Sequence, residues 1–168
     1  MDFKEVLNKR QSCRSYLYEK ISKEDLDEIL EAGIKAPIAK GRYGDYKIFV
    51  YSDEKLKEIQ RVAKEVTNAD FTFGCPLLIL VAYKGEENEP MEQSVGAIIE
   101  NMELCASNLD LNSVFVYTIK RVALANEVFK KTLNLGEYTP EACLCVGKGK
   151  DFKFIDKHHE ILVEKYSK

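Results

Sequence analysis

Positive charge is in deficit. Lysine and arginine number 25 against 28 aspartates and glutamates in 168 residues, a formal charge of −3, so the general basic excess of a nucleic-acid binder is missing. Long apolar runs are missing too. The longest, Pro76 to Tyr83, falls well short of the roughly 18 residues a membrane span needs, and the amino terminus carries no signal-peptide hydrophobic region. The expectation is a cytoplasmic protein with neither nucleic acid nor membrane as partner. Histidine is scarce: His158 and His159 are adjacent in the tail, where their side chains diverge on either a helix or a strand. That leaves little material for a histidine-based metal site or for a Cys-His or Ser-His-Asp nucleophile.

The five cysteines, Cys13, Cys75, Cys105, Cys143 and Cys145, are odd in number and contain no C-x-x-C pair. A disulfide framework and a zinc ribbon are disfavoured, and reduced thiols fit best. Cys143 and Cys145 lie two apart in an apolar run, so on a strand they share a face and read as packing, with thiol redox chemistry as the competing reading. No Gly-x-Gly-x-x-Gly follows a strand-like run and no Gly-x-x-x-x-Gly-Lys-Ser/Thr occurs, which removes the dinucleotide fingerprint and the P-loop. Glu86, Glu87 and Glu89 read as a solvated acidic turn, not an acid/base pair. An enzyme with so few catalytic side chains draws its hard chemistry from a cofactor.

What is present is the makings of a core. The hydrophobic fraction is 45% and the charged fraction 32%, ordinary for a globular chain, and no repeat or linker divides it. Residues 1–168 read as one domain, with 150–168 a charged tail. Phe3, Val6 and Leu7 fall at helical spacing; Ser22 caps a second helix through Leu26, Ile29, Leu30, Gly33 and Ile34, which Pro37 stops. Asp45 to Tyr51 reads as a strand, and Ser52 caps a helix through Leu56, Ile59, Val62, Ala63 and Val66. Leu77 to Tyr83 suits a buried central strand. Met91 to Leu109 is the longest helix, followed by a strand at Ser113 to Thr118, a helix at Leu124 to Leu135 and a core strand at Ala142 to Val146. The long helix is apolar around much of its circumference, through Ala97 and Leu104, with Glu100, Asn101 and Glu103 as its polar side. A second subunit is one source of cover for so apolar a helix.

The informative segment is Arg10-Gln11-Ser12-Cys13-Arg14-Ser15-Tyr16. Two guanidiniums flank a hydroxyl at the end of a short helix, a donor set that suits a phosphate monoester; a merely solvated helix end is the plain alternative.

Here the chain resembles the nitroreductase family of flavin enzymes. Such chains begin with a helix ending in Arg-Arg-Ser-x-Arg-x-Phe/Tyr, continue with a helix of the type Leu-x-x-Ile-Leu-Glu-Ala-Ala, then Ala-Pro-Ser-x-x-Asn-x-Gln-Pro-Trp. The counterparts are Arg10 to Tyr16, Leu26-Asp27-Glu28-Ile29-Leu30-Glu31-Ala32-Gly33, and Ala36-Pro37-Ile38-Ala39-Lys40-Gly41-Arg42-Tyr43-Gly44-Asp45. Cys75 to Val81 is similar to the family's apolar strand and Ser94 to Leu111 to its central helix. The resemblance implies an α+β, nitroreductase-like fold, a central mixed sheet flanked by helices in an interlocked homodimer, with FMN at the subunit interface. Arg10, Gln11, Ser12 and Arg14 would hold the phosphate, ribityl chain and pyrimidine edge. Pro37, Ile38, Ala39 and Gly41 would lie along the isoalloxazine from the partner chain, Tyr117 and Thr118 would approach N5, and Gly147 and Lys148 would close over the phosphate end.

The implied reaction is ping-pong: NAD(P)H passes a hydride to the flavin and leaves, and a small electron-poor acceptor such as a nitroaromatic or quinone takes the electrons. Arg14, near the pyrimidine edge, would stabilise negative charge on the reduced flavin. The chain departs from the pattern at Ile38, Gly41, Tyr43-Gly44-Asp45 and Asp110-Leu111-Asn112, and has Lys148, Lys150 and Lys153 where the family has a carboxy-terminal arginine. These departures remove side-chain hydrogen bonds and set the expectation of a weaker FMN site. Two alternatives stand beside the enzyme reading, a flavin-binding module of the same fold with little turnover and a thiol redox protein using Cys143 and Cys145.

Overall fold

A computed structural model describes residues 2–85, 89–150, 153, 155 and 159–166. Helix α1 (Phe3–Lys9) opens on a reciprocal cap, in which Asp2 accepts from the Glu5 amide and Glu5 accepts from the Asp2 amide. Helix α2 (Lys23–Ile34) starts at Ser22, whose Oγ accepts from the Asp25 amide. Two single 3-10 turns, Ala39–Gly41 and Tyr43–Asp45, lead into β1 (Tyr46–Ser52). Then follow α3 (Asp53–Thr67), β2 (Leu77–Tyr83), α4 (Glu89–Asn108), β3 (Asn112–Val116), α5 (Thr118–Ala125), α6 (Glu127–Leu133) and β4 (Thr139–Gly147).

The four strands lie in the order β1-β2-β4-β3, each antiparallel to its neighbour. The expected mixed sheet is thus antiparallel in its four strands; among the described residues a parallel pairing enters through the isolated bridge between Ser12 and Ser113. All seven residues of β2 are buried, because both faces of this interior strand are covered. Leu78 and Leu80 turn toward one layer with Ile59 of α3, Ile119 of α5 and Phe129 of α6. Leu77, Ile79 and Val81 turn to the other, against Ile29 of α2 and Ile99 and Met102 of α4. Period-two alternation on the strands therefore separates two helical layers. In the second layer α2 presses close on α4: a Cβ built at Gly33 would sit 2.8 Å from Met102 Cγ.

Three expectations are corrected. The helix read over Leu124 to Leu135 is α6 alone, preceded by the end of α5, because the Asn126 side chain accepts from the Phe129 amide and starts α6 afresh. The strand read over Ser113 to Thr118 ends at Val116, and Thr118 opens α5. The polar side of α4 is not solvated throughout, since Glu103 is buried and Asn101 Nδ2 donates to the Ala32 carbonyl at 3.1 Å. In the tail, Lys153, Ile155 and residues 159–166 are exposed and carry no helix or strand. His158, Glu86 and Glu87 lie outside the described residues.

Candidate functional site

Helix α1 ends against α4, and the chain beyond it is stitched to the ends of β3 and β4. The Cys13 amide donates to the Ser113 carbonyl (2.8 Å), Leu17 to Lys148 (2.8 Å), and Lys150 to Ser15 (2.9 Å). Tyr16 pairs with Gly149 in an isolated antiparallel bridge, and the Gly149 amide donates to Asn112 Oδ1. Cys13 and Tyr16 point inward while Ser12 and Arg14 stay exposed. The Tyr16 hydroxyl lies 2.8 Å from the Cys13 carbonyl and 3.2 Å from that of Cys145; burial, with the neighbouring thiols, pushes its ionisation far above the tyrosine range. Gly147 is buried under this joint, where an added Cβ would meet Pro76 Cδ at 2.7 Å and Tyr16 Cδ1 at 2.9 Å. Its place is set by packing.

The segment holds its polar groups unevenly. Arg10, partly buried, has Nη1 3.8 Å from Glu103 Oε2 and Nε 3.9 Å from Glu100 Oε1. Glu103 Oε1 accepts from Ser113 Oγ at 3.2 Å. Burial pushes the Glu103 carboxyl up to about 6, against the downward pull of Arg10, and Glu100 adds to the rise. Gln11 Nε2 is buried without a hydrogen-bond partner. Arg14 is exposed and in no ion pair among the described residues. Lys148, exposed, pairs with Glu19 at 3.0 Å.

The second expected cluster lies elsewhere on the chain. The Ala39 amide donates to Ser94 Oγ (3.0 Å), which donates to the Pro90 carbonyl (2.8 Å), and this pins the loop to the start of α4. Lys40 and Gly41 are both left-handed, at φ 56° and 65°, and Gly41 pays no Cβ strain there. Pro37 and Gly41 are exposed, Ile38 and Ala39 half-buried. Ile38 lines an apolar cavity of about 430 Å³ with Ile34, Tyr43, Tyr46, Ile48 and Ile98. Arg10, Gln11, Ser12 and Arg14 do not line it. The structure therefore joins the segment after Arg10 to Gly147 and Lys148, and anchors the Pro37 to Gly41 loop on Ser94 of α4. Tyr117, exposed, and Thr118, half-buried, form the β3–α5 turn. Below it the buried Lys120 ammonium meets Glu141 at 2.8 Å and lies 6.0 Å from the Tyr117 ring.

Cys143 and Cys145 are fully buried. Hydrogen bonding from Cys143, together with burial, holds the Cys145 thiol well above the ordinary range, which makes Cys145 a poor nucleophile. Among the described residues no group of three or more His, Cys, Asp and Glu side chains is arranged to hold a metal ion. No helix of the described residues is long and apolar enough to cross a membrane.

The sequence profile of the nitroreductase family matches residues 7–148, which include the stitched segment, the pinned loop and the whole sheet. The chain belongs to the nitroreductase family. No curated protein matches it in sequence. Among solved structures this nitroreductase-family chain is similar to an FMN-bound nitroreductase from Bacteroides fragilis (TM-score 0.83, 18% identity, 98% of this chain and 100% of that one). It is also similar to a proposed NADH oxidase from Clostridium acetobutylicum (TM-score 0.74, 27% identity, 96% and 99%). A third is an FMN-dependent nitroreductase from Clostridium difficile (TM-score 0.74, 26% identity, 88% of each chain). Two residues of the candidate site escape sequence reasoning, Glu103 and Ser113. Glu103 reads as one more surface carboxylate on a helix, and no local spacing connects it to Arg10.

Proposed function

We propose that this chain is an FMN-dependent oxidoreductase that moves electrons from NAD(P)H to a nitroaromatic, quinone or similar electron-poor acceptor, and that it works as a homodimer. One observation carries the reading: the Arg10–Arg14 segment is rigidly seated yet leaves donors unused. Gln11 Nε2 is buried without a partner, the Arg14 guanidinium is in no ion pair among the described residues, and Arg10 approaches its two carboxylates no closer than 3.8 Å. A buried donor without a partner costs free energy, and a ligand rich in acceptors, such as a flavin with its phosphate, satisfies it. The residues present fit FMN.

When bound, FMN supplies the hydride acceptor and electron donor that the side chains lack. Arg10 and Ser12 hold the phosphate, Gln11 the ribityl chain, and Arg14 the pyrimidine edge, where its charge favours the reduced form. Pro37, Ile38, Ala39 and Gly41 of a second subunit cover the ring. Tyr117 and Thr118 present backbone toward the reacting edge, and Lys148 screens the phosphate end. The NADH oxidase and FMN nitroreductase relatives support both the donor and the cofactor.

Heating the purified protein and identifying the released ligand chromatographically tests the reading. FMN is expected, and its absorbance in the intact protein should bleach on addition of NADH or NADPH. Release of FAD alone, or no binding of added FMN, would overturn it. Bound flavin that neither nucleotide bleaches would select the non-catalytic flavin module, the reading favoured by the altered loop at Ile38, Gly41 and Tyr43 to Asp45.

A further inference from the structure

Arg10 is held from behind. Glu103, on the buried side of α4, lies 3.8 Å from Nη1, and Glu100, three residues earlier, lies 3.9 Å from Nε. Both distances exceed a hydrogen bond, so the two carboxylates hold the guanidinium by charge and leave its N–H donors for a ligand. Glu103 is itself oriented by Ser113 Oγ at 3.2 Å, and the Ser113 carbonyl accepts from the Cys13 amide. One β3 residue therefore fixes both the carboxylate and the backbone of the arginine segment. Glu103 is 3% exposed, and a carboxylate so buried is expensive to keep unless its charge has a task or a partner.

We propose that Glu103 is a positioning residue for the flavin phosphate: its buried carboxylate holds the Arg10 guanidinium in place for the ligand, and this gives the site its preference for FMN over unphosphorylated riboflavin. The proposal rests on the flavin reading above. Glu103 touches no ligand atom; its effect passes through Arg10, whose planar fork gains most from being preset. The groups that face Glu103 are Arg10 from the end of α1, Glu100 from its own helix, Ser113 from β3, and Tyr16 from the segment after α1. Tyr16 stays neutral at all working pH values, so in mild acid the lost hold on Arg10 comes from Glu103 itself, whose carboxyl burial has pushed up to about 6.

The test is titration of flavin-free, full-length protein with FMN and with riboflavin, following quenching of flavin fluorescence, in wild type, Glu103→Gln, Arg10→Ala and the double variant. Glu103→Gln should weaken FMN about tenfold and leave riboflavin unchanged, and should have no further effect once Arg10 is alanine. Between pH 7.5 and 5.5 the wild-type advantage over Glu103→Gln should shrink toward nothing, a comparison in which the phosphate's own titration near pH 6 cancels. Ser113→Ala, which removes the hydrogen bond to Glu103, should produce a smaller loss in the same direction and serves if Glu103→Gln does not fold. Equal losses for the two flavins, unchanged or tighter FMN binding, or independent effects in the double variant would overturn the positioning role. Wild type that binds neither flavin would instead overturn the flavin reading, and this role with it.

Discussion

Keeping a carboxylate inside the protein makes Glu103 a source of pH dependence. Its folded value of about 6 exceeds the usual 4.5, so the folded state binds the proton more tightly than the unfolded chain does. Its contribution to stability is fully present below about pH 4.5 and is lost as pH rises through 6, a difference of about 2 kcal/mol. Exposed Glu31, Asp53 and Glu58, held low by hydrogen bonds with Lys35, Lys20 and Lys55, act in the opposite sense. The comparison with Glu103→Gln isolates the buried group: melting temperatures of the two proteins should diverge between pH 4.5 and 6.5, with wild type losing ground as pH rises. Arg10→Ala should lose most of its flavin, since a charge-assisted bond is worth about 1.5–3 kcal/mol. It should also lose stability at pH 8 more than at pH 5.5, because the buried carboxylate is then ionised without its countercharge. Flavin occupancy and melting curves at the two pH values, on one preparation, check both. Unchanged occupancy would make Arg10 a structural partner of Glu103 alone. Arg10, Gln11, Ser12 and Arg14 were legible in the sequence because donors crowd a single short segment. Glu103 was not, because only the packing of α4 on β3 distinguishes it from its exposed neighbour Glu100.

At the scale of elements, legibility followed the apolar pattern. The run Leu77–Tyr83 read as a central strand, and it is buried at every position between β1 and β4. Helix α5 was missed because it is eight residues long and contains Lys120 and Arg121; a lysine at a core position looks like surface until Glu141 of β4 is seen beside it. Gly147, expected to close over the phosphate end, also lacks a side chain where two rings leave no room for one. Gly147→Ala would drive a methyl into Pro76 and Tyr16, and neither ring can bend away as a flexible chain end would. We expect a loss of about 1–3 kcal/mol, read as a lower melting temperature, together with faster amide exchange at Cys13 and Leu17 as their backbone pairs loosen. A variant as stable and as protected as wild type would show that the joint is slack.

Among the described residues of the whole molecule, apolar groups stand in water that the proposed second copy would cover. Ile34, Tyr43 and Val50 stand exposed around the cavity beside β1, and Ile161, Leu162, Val163 and Tyr166 stand exposed in the tail. Patches of this kind on a small chain mark an interface. The long helix, which had suggested a dimer from its sequence, is a weaker argument than these: Ile99, Met102 and Ala106 are already buried within one chain, and Ala97, Leu104 and Cys105 are half-buried. Sedimentation equilibrium over a wide concentration range should return a dimer throughout, and a folded monomer that retains flavin would remove the role given to the partner's loop.

The stitching of residues 10–17 to residues 112–113 and 145–150 also dictates an order of events during synthesis. The arginine segment leaves the ribosome before β3 and β4, and the backbone partners of Cys13, Ser15 and Leu17 are made about a hundred residues later or more. Contacts so far apart in sequence form slowly, since the loop between them must close first. The sheet and its helices can begin to assemble while the leading segment has nowhere to settle. Only when β4 is complete can residues 10–17 be seated, so a nascent chain stalled before about residue 150 carries its arginines unseated and, on the proposed function, could not hold a flavin there.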